Sequence, residues 1–317
     1  MSTAPYVVVL RALGLGDLLT GVAALRGVRR AWPGAELVLA APEPVGRLLR
    51  GLGVVDTVLP VVGLGRPVPR AGPTAPDVAV NLHGRGPQSH QRLAALGARR
   101  MVAFACPEAG VTAGPAWHAD EHEVDRWCRL VSAAGGPCDR EDLRLDLPGS
   151  PEDLVLVHPG AAAPSRRWPA GRWAAVVRAL AGQGHRVAVT GVPAEADLCA
   201  RVAAASGRVE NWCGRLGLGE LAGRVASARL LVCGDTGVAH LATACGTPSV
   251  LLFGPTDPAH WGPALDPEQH QVIWHPLEGD PPGDPHGSEV DVRLARTGVE
   301  EVLDAAWWLL ERRPATA

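Results

Sequence analysis

Several short polar clusters hold residue types that could act on one substrate. Asp235, Thr236 and Gly237 follow an apolar run at residues 230–233 and open a helical pattern at 236–244. D-T-G is also the nucleophile loop of aspartic proteases, but that chemistry needs two facing aspartates sharing one proton. The chain has a single D-T-G, between a buried strand and a helix. In that setting Asp235 is suited to cap the helix, and Gly237 lets a ligand approach the free N–H groups. His240 lies four residues after Thr236 and so on the same helical face. A capped helix with a core histidine is the plainer reading of the same letters. The polar loop G-P-T-D at 254–257 argues for a site, because open α/β sheets bind ligands at the carboxyl ends of their strands.

The loop H-P-G-A-A-A-P-S-R-R-W-P at 158–169 also follows a strand pattern. Its small residues permit close backbone approach, and Arg166 and Arg167 can neutralise phosphate oxygens. Two adjacent arginines alone describe a solvated turn; with the helix at Thr236 they describe an anion site. Glu195 follows another strand, where it can take a ribose hydroxyl pair or favour a helix dipole. Near the N-terminus, Gly14, Gly16 and Asp17 form the turn out of the first strand. A dinucleotide fingerprint needs a third glycine at position 19, where Leu19 stands. Asp17 is placed either to cap a helix or to accept a proton from an attacking hydroxyl across an interdomain cleft. Asn81, His83, Arg85, Gln88 and Ser89 form a polar group that can bind an acceptor or satisfy its own loop. His118 and His122 are spaced i,i+4, but no third zinc ligand is evident.

These clusters need elements to hold them. Strand patterns at 6–10, 36–40, 57–61, 77–82 and 101–104, with helical patterns at 18–31 and 121–134, describe an open parallel sheet. L-P-G-S-P-E at 147–152 is a plausible linker. Strands at 154–158, 186–190, 230–233 and 249–253 then alternate with helices at 169–181, 194–206, 218–227 and 236–244. The division predicted is 1–148 and 152–317, each half a Rossmann-like α/β domain. A last helix at 299–311, carrying Trp307 and Trp308, is free to pack back across the first half.

Composition narrows the class. With 317 residues, 47% of them hydrophobic and 20% charged, the chain has material for two ordinary cores. The formal charge of −3 and the scattered arginines give no nucleic-acid surface. Every basic residue is Arg, and with abundant Ala, Gly and Pro this points to a GC-rich coding sequence. The 7 cysteines include no C-x-x-C pair and read as reduced thiols of a cytoplasmic protein. The N-terminal apolar run reads as a strand and not a signal peptide. No window is long enough to span a membrane, which leaves peripheral contact open.

In chain order, R-x-x-G-x-G-D at 11–17, H-P-G then R-W-P at 158–169, G-x-x-x-E at 191–195, G-D-T-G-x-x-H at 234–240 and F-G-P-T-D at 253–257 resemble glycosyltransferase family 9, the ADP-heptose heptosyltransferases and their relatives. The resemblance covers nearly the whole chain. It implies a GT-B fold, an acceptor on the first domain, a sugar nucleotide on the second, and inversion at the anomeric carbon without an obligatory metal or other cofactor. By this resemblance Asp17 is the general base. Arg166, Asp235, Thr236, Gly237 and His240 hold the donor's diphosphate and sugar and Glu195 the ribose, while Gly16, Asn81, His83, Arg85 and Gln88 are the candidates in the first domain for the acceptor. Arg166 stands where relatives commonly carry Lys, and Ala161 and Ala162 replace small hydroxyl or acidic residues. The partner implied is a nucleotide-sugar donor, ADP-heptose; the lysine-free, GC-rich composition points to an acceptor that is an antibiotic aglycone, a cyclitol or another cell-surface glycan. Other readings of the same architecture are a nucleotide-sugar-binding protein without catalysis, a sugar-nucleotide epimerase and, last, an oxidoreductase.

Overall fold

The computed structural model describes residues 5–312. The chain divides into two compact units, Met1–Leu143 and Arg144–Ala317. The division precedes the Pro/Gly-rich segment at 147–152 because the intervening residues belong to the second unit. Arg144 pairs with both carboxylate oxygens of Asp266 at 2.8 Å, and the Leu145 N–H donates to the Ala244 carbonyl.

The first unit runs β1 (Tyr6–Leu10), α1 (Leu15–Thr20), α2 (Val22–Ala31), β2 (Glu36–Ala41), α3 (Glu43–Gly51), β3 (Thr57–Pro60), β4 (Val78–Asn81), α4 (Gln88–Ala94), β5 (Arg100–Val102) and α5 (Glu123–Ser132). Its five strands are parallel, in the order β3-β2-β1-β4-β5. The chain builds outward from β1 in one direction, then returns to the other side of it, so the order reverses between β1 and β4. Every residue of β1 is buried, as expected of a strand covered on both faces. One helix expected at 18–31 is two, broken at Gly21. A Cβ there would lie 2.9 Å from the Arg11 side chain, so the missing side chain makes room for that arginine.

The second unit comprises β6 (Glu152–His158), α6 (Ala170–Gly182), β7 (Arg186–Val189), α7 (Ala196–Ala203), β8 (Val209–Asn211), α8 (Leu218–Ser227), β9 (Ala228–Gly234), α9 (Gly237–Cys245), β10 (Ser249–Leu252), α10 (Pro258–Trp261), β11 (His270–Ile273), α11 (Val292–Arg296) and α12 (Val299–Arg312). Its strands are also parallel, ordered β11-β10-β9-β6-β7-β8, with the reversal between β6 and β9. Each unit is thus a doubly wound sheet, and the reversal point fixes where a ligand can sit.

The last helix packs within its own unit. Val302, Leu303, Ala306, Leu309 and Leu310 join the core built by β6, β7, β9, β10 and α6. Its apolar stripe matches the face of its own sheet, and the Arg229 guanidinium donates to the Leu310 carbonyl near its end.

Two histidines in this core make stability depend on pH. Burial pushes the imidazoles of His158 and His270 down to about 4. In the unfolded chain each takes up its proton near 6.5. The unfolded state therefore binds more protons between about 6.5 and about 4, and stability present above that window is lost as pH falls through it. The thermal midpoint is expected to fall across this range, less steeply in His270→Asn. A midpoint flat from pH 7 to 4.5 would contradict the assignment.

Candidate active site

In the first unit, β1 and β4 end side by side, with Leu10 opposite Asn81. The loops leaving them carry Asp17 and His83, one on each side of the reversal. A fully buried arginine joins these loops. The Arg11 guanidinium donates to the carbonyls of Asp17 and Leu82, to Thr20 Oγ1 at 2.9 Å and to Glu123 Oε1 at 3.1 Å. It also lies over the Trp127 ring, 4.8 Å from the centroid. Burial works to raise the Glu123 pKa, but Arg11 and Arg126 outweigh it and hold the carboxyl below its ordinary value. The clamp is a paired buried charge cluster, and its carbonyl bonds fix the backbone at Asp17 and beside His83.

Asp17 itself lies in the first turn of α1, half-buried; the N-cap position belongs to Gly14, so Asp17 is not the cap. While its backbone carbonyl is held by Arg11, its carboxylate makes no hydrogen bond or ion pair among the described residues. His83 Nδ1 accepts the Ala12 N–H at 3.1 Å, which places the proton of the neutral ring on Nε2. Burial, then the Arg11 charge, lower the His83 pKa, against an opposing pull from Asp17. The site therefore sets a carboxylate near an imidazole whose protonated form burial disfavours.

The remaining first-unit candidates separate by exposure. Asn81 is fully buried and its amide is spent on the loop: Oδ1 accepts the His83 N–H at 3.0 Å, and Nδ2 faces Gly84 O, Ser89 Oγ and His90 Nδ1. Its place is to shape the loop, which corrects its reading as an acceptor contact. Ser89 is likewise buried. Arg85 and Gln88 are exposed, and Gly16 sits in the first turn of α1 next to Asp17. His122 caps α5 through Nδ1, accepting the Val124 N–H, which explains its position without a metal.

In the second unit the reversal lies between β6 and β9, where His158 stands opposite Cys233. Asp235 does not cap α9. It sits before the N-cap, with its N–H on the Leu252 carbonyl and its carboxylate facing Arg166 at 3.7 Å. The N-cap is Thr236, in extended geometry with no side-chain cap. The Ala239 N–H turns back on the Thr236 carbonyl at 3.0 Å, which leaves the N–H groups of Gly237 and Val238 for a ligand. Arg166 also reaches the Asp235 carbonyl at 3.4 Å, while its buried Nε has no partner. An anion here meets one guanidinium and the positive end of a helix. His240 follows on the first turn of α9, edge-to-face with Trp261 at 6.2 Å. Asp257 caps α10 through the Ala259 N–H, so F-G-P-T-D ends in a structural carboxylate.

The loop carrying Arg166 is anchored by Trp168. That indole is buried, packs edge-to-face with Trp173 at 5.0 Å and donates to the Thr297 carbonyl. The adjacent Arg167 turns to the Ala161 carbonyl at 2.8 Å. Glu195 is buried at the start of α7, with Oε2 accepting the Val192 N–H at 2.9 Å. It lies against Gly160, where a Cβ would fall 2.1 Å from the carboxylate carbon. The glycine of H-P-G is therefore required by the glutamate of G-x-x-x-E. Gly160→Ala is expected to lower unfolding free energy by about 1–3 kcal/mol through overpacking. Adding Glu195→Ala should recover most of it in denaturant titration; no recovery would show that the clash lies elsewhere.

Two doubly wound parallel sheets in succession give the architecture of a GT-B glycosyltransferase. The chain belongs to glycosyltransferase family 9 (heptosyltransferase), whose sequence profile matches residues 116–279, just over half its length. The glycosyl transferase family 9 protein of Veillonella parvula superposes with a TM-score of 0.78 at 19% identity, covering 99% of each chain. The Escherichia coli ADP-heptose lps heptosyltransferase II gives 0.77 at 18% identity, over 97% of this chain and 99% of the other. The E. coli heptosyltransferase WaaC, solved with ADP, gives 0.73 at 20%, over 96% and 100%. Among curated proteins, none matches the sequence. Among the described residues, no helix is long and apolar enough to cross a membrane.

Proposed function

We propose that the chain is an inverting, metal-independent glycosyltransferase that moves heptose from ADP-heptose to a hydroxyl of a glycan or small-molecule acceptor. The observation that carries this reading is the pair of reversal-point sites: in one unit Asp17, whose carboxylate has no partner among the described residues, and in the other α9, without a side-chain cap, beside Arg166. The solved likeness of WaaC with ADP supports an adenine nucleotide as the leaving group.

The second unit holds the donor. Arg166 and the first-turn N–H groups of α9 take the diphosphate, whose charge grows as the bond to the anomeric carbon breaks; fixed dipoles and a guanidinium there replace a divalent cation. Glu195, with one carboxylate oxygen spent on Val192, offers the other to the ribose hydroxyls. Thr236, Gly237 and His240 line the sugar and phosphate end, and Asp235 holds Arg166 in place. The first unit holds the acceptor. Asp17 removes the hydroxyl proton as the oxygen attacks the anomeric carbon opposite the leaving diphosphate, which inverts that centre. His83 presents Nε2–H beside it, with Gly16, Arg85 and Gln88 available to the acceptor. The seven unpaired cysteines support a cytoplasmic setting.

Thermal shift with ADP, GDP, UDP and dTDP, followed by hydrolysis and transfer assays over the corresponding sugars with and without EDTA, tests the donor. ADP should stabilise the protein most, and turnover should survive EDTA. Stabilisation by none of the nucleotides would remove the donor site.

A further inference from the structure

The turn that carries Glu195 also gathers two thiols that the transfer reading does not use. Gly191 is the centre of the group. A Cβ there would lie 2.6 Å from Cys199 Sγ, 3.2 Å from Cys213 Sγ and 3.1 Å from Glu195 Oε2. The bare α-carbon is the point on which both sulfurs and the carboxylate converge. Cys199 Sγ donates to the Thr190 carbonyl at 3.5 Å and Cys213 Sγ to the Val192 carbonyl at 3.2 Å, the carbonyls on either side of Gly191. Cys199, on α7, is buried; Cys213, in the loop after β8, is half-buried. Burial, with the neighbouring Cys213 thiol, pushes the Cys199 pKa up. The half-buried Cys213 is the sulfur an oxidant reaches first, and the buried Cys199 beside it is placed to close the bond.

We propose that Cys199 and Cys213 form a reversible dithiol–disulfide site, oxidised by a hydroperoxide, whose closure loosens the Glu195 turn and weakens the donor. The effect on the donor rests on the ribose contact proposed for Glu195; the disulfide does not. In the first step the Cys213 sulfur attacks the peroxide, forming S–O and breaking O–O, with water leaving when the oxidant is hydrogen peroxide. Cys213 becomes a sulfenic acid. The Cys199 sulfur then attacks that sulfur, forming S–S and breaking S–O, and the hydroxyl departs as water with the Cys199 proton. An external thiol reverses the exchange. Closure removes the S–H donors from both carbonyls around Gly191 and draws the sulfurs to a bond of about 2.05 Å. The Val192 N–H that holds Glu195 belongs to the same turn.

The first unit holds a second thiol neighbourhood, where Cys138 Sγ faces the Cys128 carbonyl at 3.9 Å, so the pair must be identified by mapping. The full-length chain is treated with hydrogen peroxide, blocked with N-ethylmaleimide and digested. A peptide joining Cys199 to Cys213 is expected, and dithiothreitol should abolish it. Hydrogen exchange at 190–196 should rise on oxidation. ADP affinity should fall about tenfold, the scale of one lost hydrogen bond, and recover on reduction. Cys213→Ser should bind ADP normally and ignore peroxide. Absence of the joined peptide overturns the proposal, as does a joined peptide with unchanged exchange and unchanged ADP affinity. If the reduced chain binds no ADP, the donor reading fails, while the joined peptide and the exchange at 190–196 still decide the dithiol site.

Discussion

Asp17→Asn is expected to reduce transfer by about 10²–10⁴-fold, the range of a general base, while leaving nucleotide binding as it is. The substitution keeps the shape of the side chain and removes its ability to take a proton. It spares the fold, because no described residue depends on the carboxylate and the Arg11 bond goes to the backbone carbonyl. What α1 loses is a favourable first-turn charge, worth about 0.3–1 kcal/mol. Asp235→Asn should show the opposite pattern. Its carboxylate faces Arg166 at 3.7 Å, so its loss should weaken donor binding before it affects the chemical step. Titration calorimetry with ADP, set beside single-turnover transfer, separates the two. Transfer by Asp17→Asn at the parent rate removes Asp17 as the base.

Arg11→Met is the second large effect, expected in stability. It strips the Glu123 carboxylate of one partner in a buried setting, and breaking such a pair costs about 3–5 kcal/mol. Arg126 remains to compensate in part, so the lower end applies, a fall of about 10 °C in the midpoint of the first unit. Adding Glu123→Gln should not recover the loss, because the buried Arg126 then loses its carboxylate partner and keeps only the 4.0 Å approach to Glu121. The same substitution frees the carbonyls of Asp17 and Leu82, so kcat should fall more than the midpoint alone explains, with KM for the donor unchanged. Equal stability of Arg11→Met and parent would show that the clamp is not holding the loops.

The sequence pattern was most informative where burial on both faces makes strands read as unbroken apolar runs, as in β1, β6 and β9. It was weaker where the period is short or the element is at an edge. The three-residue β8 and the edge strand β11, whose Val272 is partly exposed, carry no run long enough to separate from a loop. The stripe of α3, Val45 to Leu49, spans little more than one turn between a proline and a glycine. The motif clusters were legible because each follows a strand, and strand ends at a reversal converge whatever the helices do. Their individual roles were less so. Asp235 looks like a cap by type, but extended geometry at Thr236 moves the cap one residue on. Asn81 looks like a ligand contact by type, but its amide is consumed by the loop. Arg11 was read only as the first letter of a motif, although one charge inside an apolar segment signals a paired buried group; its partner Glu123 lies too far along the chain for spacing to reveal it.

The central claim is sugar transfer from ADP-heptose with inversion, and the anomeric configuration of the product tests it most directly. The protein is incubated with ADP-heptose and candidate acceptor hydroxyls, and ADP release is followed together with the anomeric proton signal of the new glycoside. The account predicts ADP released in step with a glycoside of inverted configuration. A glycoside of retained configuration, or ADP-heptose left intact with every acceptor while the protein remains folded, would contradict it.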